Sequence, residues 1–541
     1  MKLQFLGASQ VVTGSMYLLT TETKKILIDC GMFQGSPELE RLNERAFSFD
    51  PPTIDYLILT HAHIDHSGRI PKLVKDGFAG RILTTKATYD LSKLMLLDSA
   101  HIQEADIQWE NQKRARAGKS RKEPLYTTTD AEQSLRHFEG FLYEQKIEVD
   151  DEVSLRFLDA GHILGSSVVE LWITEKGHTT KLAFSGDLGM PNRPLLRHYD
   201  KIREADYIIV ESTYGHTTHP PIEDASKRLI QIINDTVSKG GTVVIPSFAV
   251  SRTQELIYTL NQYYENGEMD HFMKIPIYVD SPMAVSATEI YAQNASCFNE
   301  ETRQLILSGD DPFQFENLFY VRDQAESQRL NTQEFPKVII SASGMCSAGR
   351  IRHHLKHTLW KAKNSVIFVG YQAEGTLGRK LKEGQSVVSI LGESIKVEAK
   401  IFSIDGFSGH ADQPTLLDWL RGFRKKPKRV FIVHGESMQA NALKEAIEKD
   451  LKWNVCIPDL GYETTLAEGA ESREGRWMDP VRKRENLERE LQEVHAQFES
   501  LSLKTRLMLD DKTIKKDYEA IHTRLLELQQ QLLDLNLILG K

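Results

Sequence analysis

Cysteine is scarce in this chain. Cys30, Cys297, Cys346 and Cys456 are the only four among 541 residues, and no two form a Cys-x-x-Cys pair. That spacing excludes a disulfide framework and a thiolate zinc site, and it fits a reducing, cytoplasmic setting. Long apolar runs are lacking too. None approaches the ~20 residues a membrane span requires, and Met1–Gly7 has neither the apolar core nor the cleavage site of a signal peptide. Nor is there an excess of positive charge. A net charge of −9 argues against a nonspecific nucleic-acid coat, while leaving room for a local basic groove. The bulk composition, 40% apolar and 26% charged, is that of an ordinary globular protein, and the length calls for more than one hydrophobic core.

Histidine, by contrast, is concentrated. His61-Ala62-His63-Ile64-Asp65-His66 directly follows the apolar run Tyr56–Thr60, which reads as a strand. Four potential ligands thus fall within six residues at a strand end. A tight turn there points His61 and His63 one way and Asp65 and His66 another, as two adjacent metal ions need. Imidazole nitrogen and carboxylate oxygen are the donors that zinc favours when thiolates are absent.

Residues 1–60 alternate short strands with glycine turns: Lys2–Leu6, Ser15–Thr20, Lys25–Asp29 and Tyr56–Thr60. A helix is expected over Gly68–Val74 and a longer one from about Ala87. Lys113–Lys122 carries six positive charges and reads first as a solvated loop, second as an RNA contact. Strands return at Glu152–Leu158, Ser167–Thr174, Lys181–Ser185 and Tyr207–Val210. From about 216, helices alternate with the apolar runs Gly241–Pro246, Ile275–Val279, Lys337–Ser341 and Ser365–Val369, the pattern of a parallel sheet covered on both faces. The strand-rich style resumes near 395 with Ile395–Ile404, a helix at Pro414–Phe423, and Arg429–Val433. The expected organisation is an αββα domain (1–215 and 395–470) interrupted by an α/β domain (216–394). Residues 471–541 are expected to form a helical extension. There, Asp479-Pro480 starts a helix, and two runs, Leu487 to Leu501 and Ile514 to Leu535, repeat apolar residues at 4-3 spacing. Such narrow seams fit a hairpin packed on its own enzyme or a coiled-coil contact in a homodimer.

Further ligands should stand at strand ends among small residues. His162 lies in Asp-Ala-Gly-His-Ile-Leu-Gly-Ser, Asp187 in Phe-Ser-Gly-Asp-Leu-Gly, and His434 in Val-His-Gly-Glu. With these motifs the chain resembles, from residue 1 to about 465, the β-CASP nucleases of the metallo-β-lactamase superfamily. The resemblance implies two Zn2+ per chain, the first held by His61, His63 and His162, the second by Asp65, His66 and His434, with Asp187 between them. Asp29, in Ile-Leu-Ile-Asp-Cys-Gly, matches a motif that supports the site without binding metal. Glu211, in Val-Glu-Ser-Thr-Tyr-Gly, and His410, in Phe-Ser-Gly-His-Ala-Asp, match a carboxylate–histidine pair beside the scissile phosphate, with His410 as general acid. Histidine at 434, where DNA-repair members carry valine, points to single-stranded RNA as substrate. The implied reaction is phosphodiester hydrolysis, endonucleolytic or 5′-exonucleolytic, by a hydroxide activated between metals about 3.5–4 Å apart, with Asp65 and Asp187 in the catalytic set.

The inserted domain must hold the strand. Gly240–Arg252 reads as a strand, a turn and a helix start whose N–H groups, with Ser247 and Arg252, make a phosphate cradle. Ser341–Met345, with Ser343 and Gly344, and Tyr371–Arg379, with Arg379, repeat that logic. Phe248 is a stacking platform or a core residue. His353, His354 and His357, on one helix, are expected to pack or face solvent, and His216 and His219 to lie near the cleft. Two other readings compete. A thioesterase- or lactonase-like hydrolase would not need the insertion, and a non-catalytic scaffold would not keep all seven ligands. No region resembles the KH domains of archaeal members or the C-terminal domain of ribonuclease J.

Overall fold

The computed structural model describes residues 1–265, 275–372 and 375–466. Two seven-stranded sheets face each other. The first runs Glu463–Thr465, Lys2–Phe5, Tyr17–Thr20, Lys25–Ile28, Tyr56–Ile58, Arg81–Thr85, Phe138–Phe141; the second runs Val455–Cys456, Arg429–Val433, Tyr207–Glu211, His178–Phe184, Ser167–Glu175, Val153–Asp159, Lys146–Glu148.

The strands are apolar on both faces, as a layer buried on two sides demands. Phe5, Ile26, Ile28 and Ile58 of the first sheet meet Phe157, Val169, Leu171 and Phe184 of the second. The opposite faces are covered by helices. Leu27, Leu57 and Ile82 pack on Ile70, Leu73 and Leu96, and Ala183, Ile208 and Val210 pack on Leu416, Trp419 and Leu443. This is the expected αββα sandwich.

The inserted domain is built on a six-stranded, wholly parallel sheet in the order Leu318–Tyr320, Ile277–Val279, Lys337–Ser341, Thr242–Pro246, Ser365–Phe368, Lys400–Ser403. Its last strand corrects the expected boundary. Residues 395–404 do not form one strand of the returning segment. Glu393–Lys396 closes a hairpin with Val387–Ile390, and Lys400–Ser403 pairs with Ser365–Phe368 inside the inserted sheet. A local apolar pattern cannot say which sheet edge a strand will satisfy, and here the open edge at Ser365–Phe368 takes it. The chain re-enters the second sheet at Arg429–Val433, parallel to Tyr207–Glu211.

Two local expectations also shift. Ile64–Ser67 is one helical turn inside the histidine cluster, and it precedes the helix Ile70–Lys75. Lys113–Arg116 ends the helix Lys86–Arg116, so only the rest of the basic stretch is loop. The C-terminal helices expected over 471–541 lie outside the described residues.

Candidate metal centre

The strand ends deliver the histidines and carboxylates to one edge of the sandwich. His61 follows Tyr56–Ile58, His162 and Asp187 follow Val153–Asp159 and His178–Phe184, and His434 follows Arg429–Val433. Gly31 lets the turn close, because a Cβ there would lie 1.6 Å from the Asp65 carbonyl oxygen. His434 is held at φ 50°, a left-handed conformation that non-glycine residues seldom adopt outside functional sites.

Two groups of donors result, His61, His63, His162 and Asp187, and Asp65, His66 and His434, and a third, Asp187, Glu211 and His434, overlaps both. In the first, His63 Nδ1 lies 3.2 Å from both His61 Nε2 and His162 Nε2, and Asp187 Oδ2 lies 3.4 and 3.6 Å from those same two nitrogens. In the second, His66 Nε2 is 3.1 Å from His434 Nε2 and 3.3 Å from Asp187 Oδ1, and His434 Nε2 is 3.4 Å from Asp65 Oδ2.

Whether these nitrogens carry protons decides what the cluster is. In four of the five histidines the other ring nitrogen has its own acceptor. His61 Nδ1 meets Thr60 Oγ1 at 3.1 Å, His66 Nδ1 meets Asp29 Oδ2 at 2.7 Å, His162 Nδ1 meets the Gly409 carbonyl at 2.9 Å, and His434 Nδ1 meets Thr213 Oγ1 at 3.1 Å. The hydroxyls are oriented to accept, since Thr60 donates to Asp29 and Thr213 to the His434 carbonyl. In these four Nδ1 donates outward and Nε2 faces inward, with a lone pair when the ring is neutral, whereas His63 faces inward through Nδ1. This outer hydrogen bonding is how metal-binding imidazoles are oriented.

The inward atoms fit cations. Both Asp187 oxygens are buried without a hydrogen-bond partner, an arrangement that costs several kcal/mol unless a positive charge compensates it. A tetrahedron with corners about 2.0–2.1 Å from its centre has edges of about 3.3–3.4 Å, matching the donor spacing of a zinc-class ion. Electrostatics agree for His61 and His63 and run the other way for His66, which sits between two carboxylates. Burial drives the His61 and His63 pKa values down to about 3 and about 4, keeping them neutral and able to ligate. Burial also disfavours charge on His66, but Asp187 and Asp29 outweigh it and hold that pKa well above the usual histidine range.

Glu211 and His410 stand beside the cluster. Glu211 is fully buried, with Oε1 accepting the Leu188 N–H at 2.7 Å. Its oxygens lie 3.3 and 3.4 Å from His410 Nδ1. The His410 ring is 4.4 Å from that of His162. Burial lowers the His410 pKa, but Glu211 and Asp187 more than reverse this and raise it to about 9.

Three family descriptions match the chain: the metallo-beta-lactamase superfamily over residues 10–223, the Beta-Casp domain over 253–381, and the Zn-dependent metallo-hydrolase RNA specificity domain over 394–458. Ribonuclease TTHA0252 of Thermus thermophilus is 37% identical over 437 residues, spanning 81% of this chain and 94% of that protein. The chain belongs to the β-CASP family. Transcription termination factors FttA of Methanocaldococcus jannaschii and Pyrococcus abyssi are 32% and 34% identical to this β-CASP protein, over 84% of its length and 70% and 69% of theirs. A crystal structure of a protein of unknown function from Enterococcus faecalis, 13% identical, covers 86% of the chain and 99% of its own length at a TM-score of 0.50 and shares the fold.

In the β-CASP insertion the predicted cradle segments meet at the carboxyl ends of the parallel strands, where open α/β sheets bind ligands. The Ser247 N–H donates to the Ser341 carbonyl, and Gln372 Nε2 donates to the Gly344 carbonyl. Gly344 packs under the Phe248 ring, which is 46% exposed and so belongs to the surface rather than the core. The named side chains are partly committed. Ser247 accepts from Thr253, Ser343 caps its own loop by accepting from the Ser347 and Ala348 N–H groups, and Arg379 pairs with Glu383 at 2.6 Å. Arg252 is ion-paired to Glu255 but runs beside the His410 loop, 3.8 Å from where a Gly409 Cβ would be.

His354 is fully buried and bonded to Asp280 and Asn331, so it packs, while His216 is exposed. His219 stacks edge-on against Tyr214, whose ring is 6.3 Å from His410. Thr60, Thr213 and Gly409 were not singled out from the sequence. Their only signal was adjacency, each standing within two residues of a ligand or of the Glu211–His410 pair.

Proposed function

We propose that this β-CASP protein hydrolyses phosphodiester bonds of single-stranded RNA, with two zinc ions held by His61, His63 and His162, by Asp65, His66 and His434, and by Asp187 between them. The observation that carries this reading is the pair of Asp187 oxygens without hydrogen-bond partners, ringed by inward-facing imidazole nitrogens, next to the Glu211–His410 pair. When bound, such metals supply charge neutralisation at the phosphate and a more acidic water.

The chain's own residues do the rest. Glu211 anchors His410 through Nδ1, which leaves Nε2–H to deliver a proton to the departing 3′ oxygen. The Arg252 side chain and the N–H groups of residues 248–251 and 344–345 hold the flanking phosphates, and Phe248 receives a base. RNA as substrate is supported by the match to an RNA specificity domain and by the name of the Thermus thermophilus relative, a ribonuclease. The complete donor set speaks against a scaffold alone, and the parallel-sheet insertion with its loop cluster speaks against a small-molecule hydrolase.

The test is to incubate the purified protein with 5′-labelled, 5′-monophosphorylated RNA and with circular RNA, with and without chelator. Chelator-sensitive cutting of the circle identifies an endonuclease, and mononucleotides from the labelled end identify a 5′-exonuclease. No chelator-sensitive cleavage of either RNA by a zinc-loaded sample overturns the reading.

A further inference from the structure

We propose that the outer face of the helix Lys86–Arg116, with the turn that follows it, is a second contact for single-stranded RNA, far from the metal centre. This rests on the RNA-hydrolase reading above. The helix is 31 residues long. It is pinned at its start to the catalytic edge, since the Thr85 and Thr88 hydroxyls each donate at 2.7 Å to the Gly165 carbonyl, in the turn that carries His162. At 1.5 Å per residue, Trp109 stands about 35 Å along the helix from that anchor.

Beyond Ala100 no residue of the helix is buried. Ile102, Ala105, Trp109, Lys113 and Arg116 fall on one exposed stripe, with Ile102 49% and Trp109 61% accessible. An indole so exposed contributes little to folding. Lys113 Nζ lies over its ring, 3.1 Å from the centroid.

The turn is built, not loose. Asn111 bonds both the N–H and the carbonyl of Lys122 at 2.8 Å, and Arg114 Nε donates to the Ser120 carbonyl at 2.6 Å. Glu110 pairs with Arg114 and Lys122, and Glu44 with Lys122. Those contacts account for two of the six cations. Lys113, Arg116, Lys119 and Arg121 have no carboxylate partner among the described residues, although the chain carries a net charge of −9. Cations at a helix C-terminus suit its dipole, which explains Lys113 and Arg116 but not Lys119, Arg121 or the exposed indole.

An exposed indole carrying Lys113, on a helix whose end and following turn hold three more cations without carboxylate partners, matches one ligand chemistry, a phosphate chain bearing unpaired bases. The cations take phosphates and the ring takes a base. Duplex RNA has no free base face to offer Trp109. An RNA long enough to reach from the metal centre to Trp109 would be tethered there, and a short one would not.

The experiment uses the full-length, zinc-loaded protein and a variant with Trp109→Ala, Lys113→Gln, Arg116→Gln, Lys119→Gln and Arg121→Gln. Substrates are single-stranded RNAs of about thirty and about five nucleotides. Expected for the long RNA are a KM raised about tenfold, an unchanged kcat, and a log KM–log salt slope shallower by about 3, at about 0.7 per lost cation. Cleavage of the short RNA should be unchanged, and Trp109→Phe alone should keep the KM for long RNA within about twofold. Unchanged KM and salt slope on the long RNA overturn the proposal, as does an equal loss on both RNAs. If the unmodified protein cuts neither RNA, the RNA-hydrolase reading itself fails.

Discussion

Two buried aspartates in this molecule look alike from the sequence and behave oppositely. Asp187 ends a strand of the sandwich and Asp280 ends a strand of the inserted sheet; both are inaccessible, and both face histidines. Every oxygen of Asp280 has a protein donor. Arg350 Nη1 reaches Oδ1 at 2.6 Å, and His354 Nε2 and Ser327 Oγ reach Oδ2 at 2.7 and 2.5 Å. His354 is in turn fixed through Nδ1 by Asn331. Neither oxygen of Asp187 has a hydrogen-bond partner, while His61, His66, His162 and His434 direct Nδ1 away from it, to Thr60, Asp29, Gly409 and Thr213. The first network is closed and structural; the second leaves two buried carboxylate oxygens without a protein donor, the environment a cation site provides. What separates a ligand from a packing residue is therefore the direction in which the neighbouring histidines donate, not the presence of those histidines.

The comparison can be broken at either end. Asp187→Asn should abolish hydrolysis, by on the order of a thousandfold or more. It should also reduce bound metal, while the metal-free protein melts no lower than its parent because a buried uncompensated charge has been removed. Activity, metal analysis and calorimetry of the stripped protein check this, and full metal content in the variant would refute the cation-site assignment. His410→Ala should lower kcat about a hundredfold to a thousandfold with metal content intact, which separates proton delivery from metal binding.

Asp280→Asn should do the reverse of Asp187→Asn. Stability should fall by about 3–5 kcal/mol because Arg350 loses its buried partner, with metal per folded chain unchanged; denaturant unfolding reads the loss. Asp29→Asn should weaken metal binding about 10- to 100-fold through the misoriented His66, with a small stability change. Competition with a zinc chelator measures it, and unaltered affinity would mean that Asp29 does not orient His66.

Lys337 extends the comparison to a cation and gives the smallest effect. Its ammonium is buried against the Gln333 and Phe335 carbonyls at 2.5 and 3.3 Å. Burial, then Lys361 and Lys363, pull its pKa from 10.5 to about 8. Below about 8 the folded lysine is charged and the penalty is fully present. Between about 8 and 10.5 the folded state sheds a proton that the unfolded state keeps, so stability rises with pH, by on the order of 1–2 kcal/mol. Lys337→Met should flatten that rise in melting curves recorded across this window.

Much of the architecture was legible in the sequence. Strands apolar on both faces required helices outside them, and the change of style near 216 marked the insertion. The approximate return did not survive in detail, because Lys400–Ser403 carries the same local pattern whichever sheet receives it. The histidine cluster and the strand-end positions of His162, Asp187 and His434 were readable, since chemistry-bearing residues among small ones at strand ends are unusual. Thr60, Thr213 and the Gly409 carbonyl were not, because a hydroxyl or a carbonyl becomes a tautomer-setting partner only by where it points. Trp109 was equally silent: an indole in a helix is ordinarily core, and only the uncovered face of Lys86–Arg116 shows otherwise.

The sequence alone determined the donor types, their order along the chain and the alternation of elements that brings strand ends to one edge, because residue identity and periodicity are local properties. The tertiary structure decided which aspartate is left open and which is closed, which sheet takes the strand at 400–403, and that His434 and His410 come back to His61–His66 across more than 340 residues. Those outcomes depend on hydrogen-bond direction and on competition between distant sheet edges, neither of which any stretch of sequence carries by itself.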